Sequence, residues 1–355
     1  MQLLPLFALQ LLLPLYKKHY LILIMNETIK CILIVLLICS KPAISSAQLD
    51  VVDDGRNIHL ADPTIFYYRG SYYLYGTVEG NANEGFLVYT SVDMRTWSLS
   101  KINNGYALRK GDVFGTANFW APQVFYYHNR FYIAYVANEN IAIAESASPL
   151  GPFIQKIKKP LAAPVKQIDP FVFIDNDGKK YLYHVRLSAG NKLYVAEMTD
   201  DFSALKQETL KECITASDTW ENTTHTSWPV TEGPSLLKHN NLYYLFYTAN
   251  DFRNPDYAVG YAFSHYPTGP WTKFIGNPVI SKTNIGRNGT GHGDFVKAGN
   301  NNLFYVFHTH NSDTLVQPRT TAIIKVKFVK DESSGADRLI TDNQSFHYLE
   351  CSREK

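Results

Sequence analysis

After residue 50 the apolar positions fall in short runs broken by polar turns, and helical spacing is not sustained anywhere. One grammar recurs five times: a small or acidic residue, often followed by Pro, then an apolar strand, a polar turn and a second aromatic strand. The segments are ADPTIFYYRGSYYLYGT from Ala61, WAPQVFYYHNRFYIAYVA from Trp120, IDPFVFIDNDGKKYLYHVR from Ile168, TEGPSLLKHNNLYYLFYTAN from Thr231 and HGDFVKAGNNNLFYVFHTH from His292. Each predicts a β-hairpin. Its turn (Arg69-Gly70, His128-Asn129, Asn176-Asp177-Gly178, His239-Asn240-Asn241 or Gly299-Asn300-Asn301) carries residues that tolerate positive φ.

A second pattern follows four of the hairpins: GFLVYTSVDMRTW from Gly85, NIAIAESASPLGPF from Asn140, KLYVAEMTDDFSAL from Lys192 and YAVGYAFSHYPTGPW from Tyr257. It reads as a third strand, a turn and an outer strand. The fifth hairpin is followed by the alternating strand TAIIKVKFVK. Five units of about 62 residues each suit four-stranded blades with loops, so the fold class is all-β, a five-bladed β-propeller. No linker composition divides residues 48–355, which are expected to form one domain, with residues 48 to 60 helping to close the ring.

Composition supports a globular β chain, at 45% hydrophobic and 14% aromatic with Tyr 24 and Phe 20 against Met 4, because aromatic rings suit pleated surfaces. A net charge of +2 provides no field for nucleic acid, which is not an expected partner. The first 47 residues differ. Two apolar stretches precede the repeats, each too short or too interrupted for a stable membrane span. From Met25, MNETIK leads into the apolar run Cys31 to Ser40, and Ala43-Ile44-Ser45-Ser46-Ala47 offers small residues for cleavage. Residues 1–47 are therefore read as a signal peptide region, with 1–24 as a mis-assigned start, and the chain as exported to the periplasm or the cell exterior. A lipoprotein anchored at Cys39 is the alternative, against which the bulk of Ile38 weighs. Only Cys213 and Cys351 remain after such cleavage, so one disulfide is allowed and none required. CxxC, HExxH, GxGxxG and P-loop motifs are missing, which removes the enzyme classes built on them.

In a propeller the first strand of each blade lines the central channel, so the residues just before it converge. Aligned hairpins place Asp62, Ala121, Asp169, Gly233 and Gly293 at equivalent positions, with Glu232 and His292 immediately before the last two. Three carboxylic acids thus meet. One Asp-Pro alone would be a turn-former, but three around a closed ring can raise one another's pKa, so that one holds a proton while another is ionised.

These strings, with GTGHGDF, resemble glycoside hydrolase family 43, the arabinofuranosidases, xylosidases and arabinanases, over residues 58 to 328. The resemblance implies a five-bladed propeller and an inverting glycosidase acting on plant-type polysaccharide or oligosaccharide. It implies Asp62 as general base, Glu232 as general acid and Asp169 as the acid that orients and tunes Glu232. Inversion needs both a proton donor for the leaving oxygen and a base for water on the opposite sugar face. Trp120 would offer an indole wall to a sugar or pack in the channel mouth. Arg319 resembles the family's substrate-binding arginine, with a plain surface arginine as the alternative. His292 resembles an axial histidine that touches one Ca²⁺ or Na⁺ in the channel, or is a hydrogen-bonded core histidine. No organic cofactor is implied. Trp97 and Trp271 read as blade packing.

The segments Val78 to Glu84, Asn104 to Asn118, Ser217 to Ser227 and Ser281 to Gly289 are expected to shape the pocket. The chain carries no appended sandwich domain of the kind many xylosidase relatives have, which favours an exo-acting α-L-arabinofuranosidase. β-Xylosidase and endo-arabinanase or xylanase are the alternatives within the family. A non-catalytic carbohydrate-binding propeller is the alternative of another class, which retention of all three acids opposes. A retaining sucrose- or fructan-cleaving propeller would need Asn-Asp-Pro-Asn and Arg-Asp-Pro, where this chain has Ala61-Asp62-Pro63-Thr64 and Ile168-Asp169-Pro170.

Overall fold

A computed structural model describes residues 55–331 and 335–352; the signal region 1–47, its cleavage position and Cys39 lie outside the described residues. Each predicted hairpin forms an antiparallel pair, and together they make the innermost strands of five blades in a ring. Blades three and four match the expected four-stranded plan. Blade three runs Gln167–Ile174, Lys180–Leu187, Asn191–Glu197 and Lys211–Ile214; blade four runs Thr231–His239, Leu242–Ala249, Ala258–Ser264 and Thr272–Lys273. Blade five runs Gly291–Lys297, Leu303–Thr309, Thr320–Val329 and Arg338–Tyr348.

The first two blades depart from the plan. In blade one, after Leu60–Tyr68 and Ser71–Val78, the expected third strand is broken at Val88, whose N–H turns to Gly105 O. Gly85–Leu87 then pairs sideways with Tyr106–Arg109, while Tyr89–Ser91 and Thr96–Leu99 complete the blade. Blade two stops at three strands, Trp120–Tyr127, Arg130–Ala137 and Asn140–Ser146, because Pro149 and Pro152 interrupt the run that would form a fourth. Only an isolated bridge from Glu145 to Ile154 remains of it.

Ring closure uses both ends of the described chain. Glu350–Cys351 joins the outer edge of blade one beside Thr96 and Trp97. Ile58 donates its N–H to Leu349 O and accepts one from Thr321. Cys213 and Cys351 are both free thiols. No helix among the described residues is long and apolar enough to cross a membrane.

Alternation along the strands explains the aromatic content. In blade three, Tyr181, Tyr183 and Val185 pack toward blade four, whereas Leu182 packs toward blade two. Tyr75, Tyr135, Tyr183, Tyr247 and Tyr305 are fully buried between blades, each ring contributing roughly 2–3 kcal/mol of apolar burial. Several of these hydroxyls end at loop carbonyls: Tyr75 donates to Pro149 O, Tyr183 to Pro267 O, and Tyr135 to Phe114 O at 2.9 Å. A tyrosine can thus span a blade interface and still satisfy its polar end.

One local feature recurs at every blade mouth. Inner-strand pairing slips by one residue between Ala61 and Thr64, Trp120 and Gln123, Ile168 and Phe171, Glu232 and Ser235, and Gly291 and Asp294. At each bulge one residue takes left-handed φ: Asp62 at 49°, Ala121 at 45°, Asp169 at 55°, Gly233 at 58° and His292 at 43°. The fifth position corrects the sequence alignment, which put Gly293 there. Gly293 lies one residue further on, where a Cβ would sit 1.9 Å from Val306 O.

The N–H groups freed by four of these bulges are taken by a side chain of the preceding blade. Ala121 donates to Thr77 Oγ1 at 2.9 Å, Gly233 to Asp169 Oδ2 at 3.0 Å, His292 to Thr248 Oγ1 at 2.9 Å and Asp62 to His308 Nδ1 at 3.1 Å. The bulges therefore tie the ring together as well as turning side chains toward its axis.

Candidate active site

The mouth opens into a cavity of about 480 Å³, within the usual size range of small-molecule sites. Asp62, Trp120, Asp169, Glu232, His292 and Arg319 all line it, so the structure brings every predicted site residue together. The four loops expected to shape the pocket contribute none of its lining. That work falls to the strand mouths and to short segments around Trp228, Phe252 and Gln317.

Asp62 is surrounded by donors. Thr77 Oγ1 donates to Oδ2 at 2.6 Å, while Oδ1 lies 3.3 Å from His292 Nδ1 and 3.4 Å from an Arg319 Nη1. Burial alone would raise its pKa, but His292 and Arg319 outweigh burial and hold the carboxyl at about 2. Asp62 is an ionised carboxylate across the working pH range.

The other two acids lack that compensation. Asp169 is pushed up to about 8, first by burial and then by the charge of Asp62, against the opposing N–H of Gly233. Glu232 is pushed up to about 7 by burial and by Asp169, against His292 and the Tyr257 hydroxyl. The two titrate as a set and hold protons in the neutral range. One bare carboxylate thus faces proton-holding acids, the division an acid–base hydrolysis requires.

Glu232 is clamped at both oxygens. Tyr257 donates to Oε1 at 2.8 Å and Asn191 Nδ2 donates to Oε2 at 3.0 Å. Arg319 is no surface residue. At 8% exposure it pairs through Nε with Glu79 Oε1 at 2.7 Å and lies 4.6 Å over the Phe252 ring. Trp120 lines the cavity and also packs on the cluster that holds Val136 and Ile141. Trp97 and Trp271 are packing residues.

Asp169, Glu232 and His292 present donor atoms within 4.8 Å of one another, which is metal-like spacing. As a set these three donors do not fit an ion that all of them would ligate directly. His292 already turns Nδ1 to Asp62, and a cation bound by Asp169 and Glu232 would drive off the protons that burial keeps there.

Tyr257, Asn191, Thr77, His308 and Glu79 are the supporting residues that sequence reading did not single out. All five had a signal. Odd strands of a blade begin, and even strands end, at the same face, and Asn191, Tyr257, Thr77, Glu79 and His308 occupy or adjoin such ends. His308 receives the Asp62 N–H on Nδ1, and burial keeps its imidazole neutral.

Fold and site together define a propeller hydrolase of the acid–base kind. The family model for glycosyl hydrolases family 43 matches residues 56–333, and the chain belongs to that family. It is a glycoside hydrolase, of a family that inverts the anomeric centre. A solved structure titled endo-1,4-beta-xylanase, from Bacteroides thetaiotaomicron, is 40% identical and superposes with a TM-score of 0.76 over 84% of this chain and 98% of that one. A beta-D-galactofuranosidase from Aspergillus niger is 24% identical over 293 residues, 76% of this chain and 79% of the relative. A xylosidase/arabinosidase from Bacteroides ovatus is 26% identical over 280 residues, 63% of this chain and 80% of the relative.

Proposed function

We propose that the protein is an exported, exo-acting α-L-arabinofuranosidase in which Asp62 is the general base, Glu232 the general acid and Asp169 the residue that orients and tunes Glu232. The observation that carries the roles is the split between Asp62 at about 2 and Glu232 at about 7 within one cavity. Ionised Asp62 takes a proton from water as that water attacks the anomeric carbon. Glu232 gives its proton to the departing glycosidic oxygen on the other face, so the bond breaks with inversion. Asp169 fixes the Gly233 N–H next to Glu232 and disfavours a second negative charge there. Arg319, held by Glu79 and stacked on Phe252, presents a fixed cation to sugar hydroxyls and keeps Asp62 ionised. Trp120 supplies the apolar wall.

Exo action rests on depth. The side chains of Asp62, Asp169 and Arg319 line the cavity while about nine-tenths buried, which suits a sugar inserted whole, a chain end or a branch. The furanoside reading draws on relatives named for galactofuranose and arabinose, because β-D-galactofuranose and α-L-arabinofuranose share ring stereochemistry. Xylan-backbone cleavage is the second reading, favoured by the 40% identity to a structure titled endo-1,4-beta-xylanase. Incubation with arabinoxylan and with chromogenic arabinofuranosides, xylosides and galactofuranosides separates them. Free arabinose with an unshortened backbone is expected; xylo-oligosaccharides without arabinose would overturn the specificity.

Export is read from the segment before Gln48, and N-terminal sequencing of the secreted protein should begin near Gln48 rather than at Met1. A Ca²⁺ or Na⁺ on the second ring nitrogen of His292, reached through water, is the ion placement that leaves the acid set intact. Chelation should then change turnover and melting temperature only modestly; complete calcium-reversible loss would put the metal at the centre instead.

A further inference from the structure

Trp228 stands at the cavity rim with 47% of its surface exposed. An indole that open has water available for its N–H. Yet Nε1 donates to Asn191 Oδ1 at 2.9 Å. Asn191 in turn is pinned by its backbone, donating its N–H to Pro229 O at 2.9 Å and accepting on its carbonyl from Thr231 Oγ1 at 3.0 Å. Its Nδ2 reaches Glu232 Oε2 at 3.0 Å.

The donor and acceptor inventory gives this chain a direction. Indole N–H is a donor only, so it selects the oxygen end of the Asn191 amide and turns the NH₂ end toward Glu232. An amide NH₂ cannot accept a proton. Oε2 is thereby favoured as the acceptor, and the carboxylic proton is biased toward Oε1, where the Tyr257 hydroxyl, drawn as a donor to the ionised acid, can accept from the protonated one.

We propose that Trp228 is a positioning residue that, through Asn191, places the transferable proton of Glu232 on Oε1, while its exposed ring seats the leaving-group sugar. The proposal rests on Glu232 being the general acid. One side chain then couples occupancy of the leaving-group position to the orientation of the acid. A flat pyranose ring presenting its axial C–H face is the leaving group that such an indole suits.

Trp228→Phe keeps the ring and removes the N–H, leaving Asn191 free to flip. With Oδ1 turned toward Oε2, the proton would be held on the wrong oxygen and the donor that favours the ionised acid would be gone. Kinetics on the oligosaccharide and the 4-nitrophenyl glycoside of the sugar released fastest should show kcat on the oligosaccharide falling about tenfold at near-constant KM, with the aryl glycoside almost unaffected. The basic limb of the pH profile should move upward. Trp228→Ala should add a rise in oligosaccharide KM, and neither variant should change the melting temperature much, since the ring is exposed.

Equal loss on both substrates, or wild-type values on both with an unmoved basic limb, would overturn the proposal. Glu232→Ala measured alongside separates the two levels. If it loses equally on both substrates the general-acid reading itself fails. If it spares the aryl glycoside while Trp228→Phe behaves as wild type, only the relay fails.

Discussion

Blades one and two make the same backbone turn for different ends. Asp62 and Ala121 occupy equivalent bulges, at φ 49° and 45°, and each has its N–H captured by the preceding blade. Left-handed φ costs a non-glycine residue about 1 kcal/mol or more, and blade two bears that cost with a methyl group that has no chemistry to offer. The bulge therefore belongs to the ring. Chemistry is a choice of side chain placed upon it. Blade four shows the same separation differently. Gly233 takes the bulge, because a Cβ there would lie 2.8 Å from His292 Cγ, and the acid is the residue before it, Glu232.

The comparison breaks most visibly at blade one. Asp62→Asn should lower kcat by about 10³-fold while substrate binding, measured calorimetrically, survives, because the amide keeps the shape and loses the base. Survival of turnover within tenfold would remove the base from Asp62.

Gly233→Ala attacks blade four's bulge. Strain at φ 58° and the clash with the His292 ring should cost about 1–3 kcal/mol in denaturant unfolding and lower kcat as His292 is pushed from Asp62.

Asp169→Asn sharpens the electrostatic side. Folded Asp169 and Glu232 have raised pKa values, so their contribution to stability is present below about pH 4 and is lost as pH rises through about 7 to 8. Asp62 has the opposite sign, its contribution being lost only as pH falls from about 4 to about 2. Melting curves at pH 9 should therefore favour Asp169→Asn over the wild type by several kcal/mol, with the difference shrinking towards pH 4. Ala121→Gly is the quiet control. Glycine fits the left-handed turn, so activity should stay unchanged and stability should rise by no more than about 1 kcal/mol.

Much of this was written in residue order. The hairpin repeats announced the ring because each strand pair is local, and Asp62, Asp169 and Glu232 could be found because strand starts converge. Blade-five register was not legible. Both Gly293 and His292 fit the alignment and both lie inside the register shift, and the left-handed φ of His292 decides between them. The missing fourth strand of blade two was hinted at by Pro149 and Pro152, yet the repeat pattern outweighed them. Glu79 adjoins a strand end, but its pairing was not legible, since an ion pair to Arg319 across 240 residues belongs to no repeat. Asn191 and Tyr257 had the right strand positions but neutral side chains, and a search for carboxylates passes over them.

The division of labour among the mouth acids meets its most direct test in the pH–rate profile of Glu232→Ala on an activated aryl glycoside, beside the wild type. Wild-type kcat/KM should fall as pH rises through about 7, where Glu232 loses its proton, and hold on the acid side well below pH 4, where Asp62 is still ionised. The variant should keep substantial turnover on this substrate, lose the basic limb and leave the acid side unchanged. A basic limb that persists in Glu232→Ala, with turnover as crippled on the aryl glycoside as on the oligosaccharide, would contradict the account.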